Sequence, residues 1–166
     1  MLGTVTVLAA GQPAAVDAKQ RARLAQLFPA ATAFSPKGGD PPHFTAYGGA
    51  QGAKTVLGYA YWTTELQPLE RGYSGPIAML VGIDLSGTLA GLVVVDHHEP
   101  YGNFSIDLPS FAAQFTGKDV RDPFQLGKDI DAVSRATITM SSAVRSVRNS
   151  SRRVARALLT PPGANR

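Results

Sequence analysis

Apolar and polar positions along this chain recur first with the period of a helix, then with that of a strand, then with that of a helix again. "DAKQRARLAQLF" (17–28) places Leu24, Leu27 and Phe28 on one side, with Pro29 just past the end, and predicts an amphipathic helix. Residues 35–53 are rich in Gly and Pro and predict a loop with one short strand around Phe44 to Tyr47. "TVLGYAYWTT" (55–64) is β-branched and aromatic, as strands are. "PIAMLVGID" (76–84) and "TLAGLVVVDHH" (88–98) flank the turn signal "DLSG" and predict a β-hairpin. The second arm is almost continuously apolar, which implies a strand covered on both faces. "LPSFAAQFTG" (108–117) predicts a short helix with Phe111 and Phe115 at an i, i+4 spacing, ended by Gly117. "ATITM" alternates, with Ala136, Ile138 and Met140 opposite Thr137 and Thr139, and predicts a short extended segment. From about Ser141 to about Leu159, Val144, Val147, Val154 and Leu158 form a helical apolar stripe with Arg145, Arg148, Arg152 and Arg156 beside it, and Pro161 and Pro162 close it. The sum is an α+β fold, a mostly antiparallel twisted sheet packed with a few helices.

Composition narrows the chemistry. The 166 residues suit one domain with flexible ends at 1–14 and 160–166, and the "TPPGANR" end reads as a linker of a domain excised from a longer protein. The chain has no cysteine, which excludes disulfides, thiolate catalysis and cysteine-held metals within it. No run reaches the length of a membrane helix, Val5 to Ala10 being far too short, and no secretory signal is visible. The net charge of +4 is unevenly spread: residues 132–166 hold seven arginines and no acid, while 1–131 hold nine basic and twelve acidic residues. The C-terminal part is therefore where an anion would be drawn. It offers no aromatic for base stacking and no nucleic-acid-binding motif, so no nucleic acid is expected.

Three stretches carry candidate chemistry. Thr137, Thr139, Ser141 and Ser142 form a row of hydroxyls at a helix start. N-capping accounts for one of them. A helix N-terminus also favours a phosphate, bound or esterified to a threonine, so capping and an anion site both stand. In "DHHEPYG" (96–102), His97 and Glu99 share a strand face, and a metal pair with His43 is conceivable. The spacing matches no zinc or iron pattern, and a polar strand end with a turn at Pro100–Gly102 is preferred. "RGYSGP" (71–76) sets two glycines around Tyr73, as where backbone meets something closely. No phosphate-cradling or dinucleotide glycine pattern occurs, no Ser-His-Asp arrangement can be argued from spacing, and Asp129 and Asp131 are the one close carboxylate pair near the hydroxyls.

Taken in order, "LAQLFPAA", "VLGYAYWTTE", "GYSGPIAMLVGIDLSGTLAGLVVVDHHEP" and "DAVSRATIT" resemble the FMN-binding domain of bacterial membrane redox complexes across roughly residues 24–157. That domain is shared by the C subunit of the sodium-pumping NADH:quinone reductase and the G subunit of the Rnf complex. The likeness is strongest to the extracytoplasmic domain of NosR/NirI-type proteins of nitrous-oxide respiration. The resemblance implies an electron-carrier domain, not a turnover enzyme by itself, on the periplasmic face of a membrane protein. It implies covalent FMN, joined by a phosphoester to the last threonine of an Asp-x-x-Ser/Thr-Gly-Ala-Thr motif by an ApbE-type flavin transferase using FAD. Asp131, Ser134, Ala136 and Thr137 match that motif, so Thr137 is the implied attachment residue, with Thr139 the nearest alternative and Ile138 between them. His97, Glu99 and Tyr73 are implied to line the flavin neighbourhood, and redox modules of the parent protein and a periplasmic acceptor are the implied partners. Arg135 stands where the family usually has glycine. Either the transferase accepts it and its guanidinium pairs with the phosphate, the reading favoured because the rest of the motif is intact, or flavin is held poorly. The rivals are a flavin-free sensor or scaffold of the same fold and a module docking an anionic lipid or partner through the 145–156 helix.

Overall fold

The apolar runs fold into a meander in which each strand pairs with the next. The computed structural model describes residues 15–50 and 54–160. Strands β1 (Ala33–Phe34), β2 (Phe44–Gly48), β3 (Thr55–Trp62), β4 (Ala78–Asp84) and β5 (Leu89–Asp96) form one antiparallel open sheet in the order β1-β2-β3-β4-β5. The helices are α1 (Ala18–Leu27), α2 (Thr63–Leu66), α3 (Pro109–Ala113) and α4 (Thr137–Val154), the last continued by a π-helical stretch, Ala155–Leu159. The expected α+β architecture is the observed one. The expected flexible segment 1–14, Pro161 and Pro162, and most of 160–166 lie outside the described residues. Among the described residues no helix is long and apolar enough to cross a membrane.

The period-2 alternation of β4 divides the core. Met79, Val81 and Ile83 point to one face, where Tyr61, Leu89, Leu92, Phe111, Phe115, Phe124 and the α4 stripe Met140, Ala143, Val144 and Val147 meet them. Leu80 points to the other face, where Leu24, Leu27 and Phe28 of α1 pack with Phe44, Ala46 and Ala60. Each of the Val, Leu, Ile, Met and Phe side chains among them contributes roughly 1.5–3 kcal/mol by leaving water. β5 supplies both faces, as its unbroken apolar run implied: Leu89 and Leu92 go to the α4 side, Ala90, Val93 and Val95 to the α1 side.

Local signals set the connections. Asp17 caps α1 by accepting the Gln20 N–H at 2.8 Å. In the "DLSG" turn Asp84 Oδ1 accepts the N–H groups of Ser86 (2.8 Å) and Thr88 (3.0 Å), and Gly87 takes φ +88°. The Tyr61 hydroxyl, fully buried, donates to Ser151 Oγ at 2.7 Å and ties β3 to α4. Burial pushes its pKa well up.

Two expectations at the start of α4 are corrected. The helix begins at Thr137, not near Ser141, so "ATITM" is not extended. Thr-Ile-Thr is β-branched and alternates, which suggested a strand. The deciding pattern is helical: Ala136, Met140, Ala143 and Val147 are all buried on one stripe, whereas Ile138 is 58% exposed. Packing of that stripe on the sheet overrides local propensity. The second correction concerns capping. The N-cap is Ala136, with no side-chain cap bond, so none of the four hydroxyls caps the helix. A turn over Val133–Ala136, closed by Ala136 N–H to Val133 O at 3.2 Å, starts the helix instead.

Candidate functional site

Arg135 sits in that turn with φ +70°, a left-handed conformation that non-glycine residues seldom adopt. The turn aims the first residue of α4 outward. Thr137 is exposed at position N1, with the N–H groups of the first turn free of a side-chain cap. Beside it lies a cleft of about 310 Å³ lined by Tyr73, Tyr101, Arg135, Thr137, Ile138 and Thr139. Tyr73 (69% exposed), Tyr101 (44%) and Ile138 present large apolar surface at its rim. Such a patch on a polar surface marks a place where something binds. The first-turn N–H groups and the Arg135 cation supply the complementary feature, a seat for an anion.

Behind the cleft stands Glu99, only 7% exposed. Its carboxylate accepts the N–H groups of Tyr73 and Ser74, each at 2.9 Å, and the hydroxyl of Thr139. Burial alone would raise the Glu99 pKa. The Thr139 hydroxyl and the Ser74 and Tyr73 N–H groups outweigh burial and hold it below the ordinary carboxylate value. The Glu99 N–H donates to His97 Nδ1 at 3.0 Å, which leaves Nε2 to carry the proton that faces Asp107 Oδ1 at 2.8 Å.

The structure thus brings Tyr73, Arg135, Thr137, Ile138 and Thr139 to one cleft and sets Glu99 and His97 behind it. Ala136 is buried at the helix start, while Ser134 and Asp131 are exposed and do not line the cleft. The Asp131 N–H is held by Gln114 Oε1 at 2.7 Å, which fixes the segment leading into the turn. His43 turns its Nδ1 to Pro41 O at 2.8 Å and packs edge-on against Tyr59. Among the described residues no three potential metal ligands gather. Of the arginines, Arg135 alone lines the cleft among the described residues. Arg145 pairs with Glu70 at 2.7 Å, and Arg152 donates to Asp122 O at 2.8 Å, so these helix arginines clamp loops to α4. Tyr101 and the Asp107 partner of His97 were not singled out in the sequence; an aromatic in the "HHEPYG" turn was the available signal for the first, and nothing local pointed to the second.

The strained Arg135 makes a quantitative expectation. Arg135→Gly is expected to stabilise the unmodified chain by about 1 kcal/mol, because relief of the left-handed backbone and of a cation at a helix N-terminus outweighs the added freedom of the unfolded glycine. Thermal unfolding followed by circular dichroism should show Tm rising by roughly 2–4 °C. Arg135→Gln, which removes only the charge, should give a smaller rise.

Residues 72–151 match the model of the FMN-binding domain family. The chain is 35% identical over 88 residues to the G subunit of the ion-translocating oxidoreductase complex of Vibrio vulnificus (strain YJ016), an alignment covering 47% of this chain and 42% of that protein. The corresponding protein of Escherichia coli (strain K12) is 34% identical over 87 residues, covering 46% and 42%. The regulatory protein NosR of Pseudomonas aeruginosa (strain PAO1) is 31% identical over 142 residues, covering 79% of this chain but 19% of NosR. The aligned stretches span less than half the length of these relatives. The matched region runs from the Tyr73 loop through the hairpin and the His97–Glu99 strand end into α4, and over these residues, which include every residue lining the cleft, the chain is similar to the FMN-binding domain family.

Proposed function

We propose that this domain is an electron carrier whose FMN is joined by a phosphoester to Thr137, working within a membrane-bound respiratory system on its periplasmic side. The observation that carries the choice of residue is the contrast between two threonines. Thr137 is exposed, at the uncapped start of α4 and on the cleft, whereas Thr139 is 2% exposed and spends its hydroxyl on Glu99. A transferase can reach the first without disturbing the fold. An ApbE-type flavin transferase drawing on FAD is the partner that makes the ester.

The residues present fit the group. The free first-turn N–H groups and Arg135 suit a phosphate, and Tyr73, Tyr101 and Ile138 suit a flat, largely apolar ring. FMN, when bound, supplies the exchange of one or two electrons; the chain supplies attachment, orientation and electrostatics. A covalent tether keeps the cofactor at high local concentration, so a shallow cleft suffices. Redox modules of a parent membrane protein, of the kind that serve nitrous-oxide respiration, and a periplasmic acceptor are the partners on this reading.

Arg135 favours a second reading, a flavin-free sensor or scaffold of the same fold, because its backbone is strained where a transferase must approach. A module docking anionic partners through α4 is less well supported, since Arg145 and Arg152 are engaged within the chain. Co-production with an active flavin transferase separates the readings. Intact mass after denaturation and peptide mapping are expected to find FMN on the peptide containing Thr137. An unmodified Thr137 peptide from such a preparation would leave the flavin-free reading.

A further inference from the structure

The 72–75 loop bends round an anion that belongs to its own chain. Gly72 N–H donates to Gly75 O at 2.7 Å and closes the loop. The next two N–H groups, of Tyr73 and Ser74, then converge on the Glu99 carboxylate. Successive backbone N–H groups arranged in this way form an anion nest. The fit is close: a Cβ on Gly72 would lie 2.5 Å from Glu99 Oε1. The same carboxylate takes the Thr139 hydroxyl from the first turn of α4, and the Glu99 backbone rests on His97. His97 is in turn wedged where Gly102 leaves room, since a Cβ there would lie 2.1 Å from its Cε1. Tyr73 and Thr139, which both donate to Glu99 Oε2, are both walls of the cleft.

We infer that Glu99 is a positioning residue, a latch that holds the Tyr73 loop against the first turn of α4 and so keeps one wall of the cleft in place. A carboxylate suits the task because it accepts all three donors at once, which an amide cannot. The identity of what the cleft holds rests on the FMN reading above. The latch is a property of the unmodified chain and can be tested without any flavin.

The exposed Arg71 precedes the loop, so trypsin cleavage at Arg71–Gly72 reports its opening. The chain is produced without a transferase, and cleavage there is compared with cleavage at the exposed Lys37–Gly38 bond, in the loop between β1 and β2. Glu99→Gln is expected to raise the Arg71 rate roughly tenfold, the effect of losing charge-assisted buried bonds, with the Lys37 rate unchanged. Thr139→Val, similar in shape but without the hydroxyl, should raise it several-fold, and Thr139→Ser should restore the wild-type rate. A role in packing alone would not distinguish valine from serine in that order. Wild-type cleavage at Arg71 in Glu99→Gln, or an equal rise at Lys37, would overturn the latch whether or not Thr137 carries flavin.

Discussion

Gly58→Ala is expected to destabilise the fold by about 4 kcal/mol, a large part of the roughly 5–15 kcal/mol available to a domain of this size. The cause is backbone meeting backbone. Ala46 pairs with Gly58 and Tyr47 with Val56, so Leu57 is the extra residue of a bulge in β3. At that bulge a Cβ on Gly58 would lie 2.2 Å from Ile83 O and 3.0 Å from Asp84 Cα, both on β4, and 2.9 Å from the Phe28 ring. Relief requires parting β3 from β4 where Gly58 pairs with Asp84, and pushing Phe28 out of the core beneath α1. Gly48→Ala is the control. Its Cβ would meet only the flexible end of Leu57, at 2.9 Å, and should cost under about 1.5 kcal/mol. Urea denaturation should show the Gly58→Ala midpoint falling sharply with little change in slope. A loss below about 1 kcal/mol at Gly58 would mean that the bulge can open without cost.

What could be read in advance follows the range over which the forces act. Strands β3 to β5 were legible because their β-branched, aromatic and apolar runs and the "DLSG" turn are local, and that short turn leaves an antiparallel hairpin as the simplest pairing of β4 with β5. α1 was legible because Asp17 caps it and Leu24, Leu27 and Phe28 share a face. The start of α4 was not, because Thr137–Ile138–Thr139 has strand-like chemistry and becomes helical only when Ala136 and Met140 find the sheet. Nor could the use of the arginines be read. Arg145 meets Glu70, 75 residues away in sequence, and Arg152 meets carbonyls some 30 residues away, so a stripe that looks like a free cationic face is largely a set of clamps. At the site, the motif around Thr137 was visible, but its relation to Glu99 was not. Glu99 and Thr139 are 40 residues apart, and only the fold shows which of the two threonines keeps a free hydroxyl.

Thr137→Ala is expected to abolish covalent flavin while leaving the fold intact. The side chain is exposed at the first residue of α4 and alanine is the best helix former, so the change in stability should stay within about 0.5 kcal/mol. Thr137→Ser keeps a hydroxyl at the same place and should still be modified. Thr139→Val is the opposite case: the ester at Thr137 should form, but the chain should lose about 1–2 kcal/mol, because a buried carboxylate gives up one of its three donors. Intact mass after denaturation reads the first property and thermal unfolding the second, on these three variants and the wild type made beside an active transferase. If the Thr139→Val chain lost its flavin while the Thr137→Ala chain kept it, the anchor would be the inner threonine. The Glu99 latch would then have to open during modification, because the hydroxyl being esterified would be the one the carboxylate now holds.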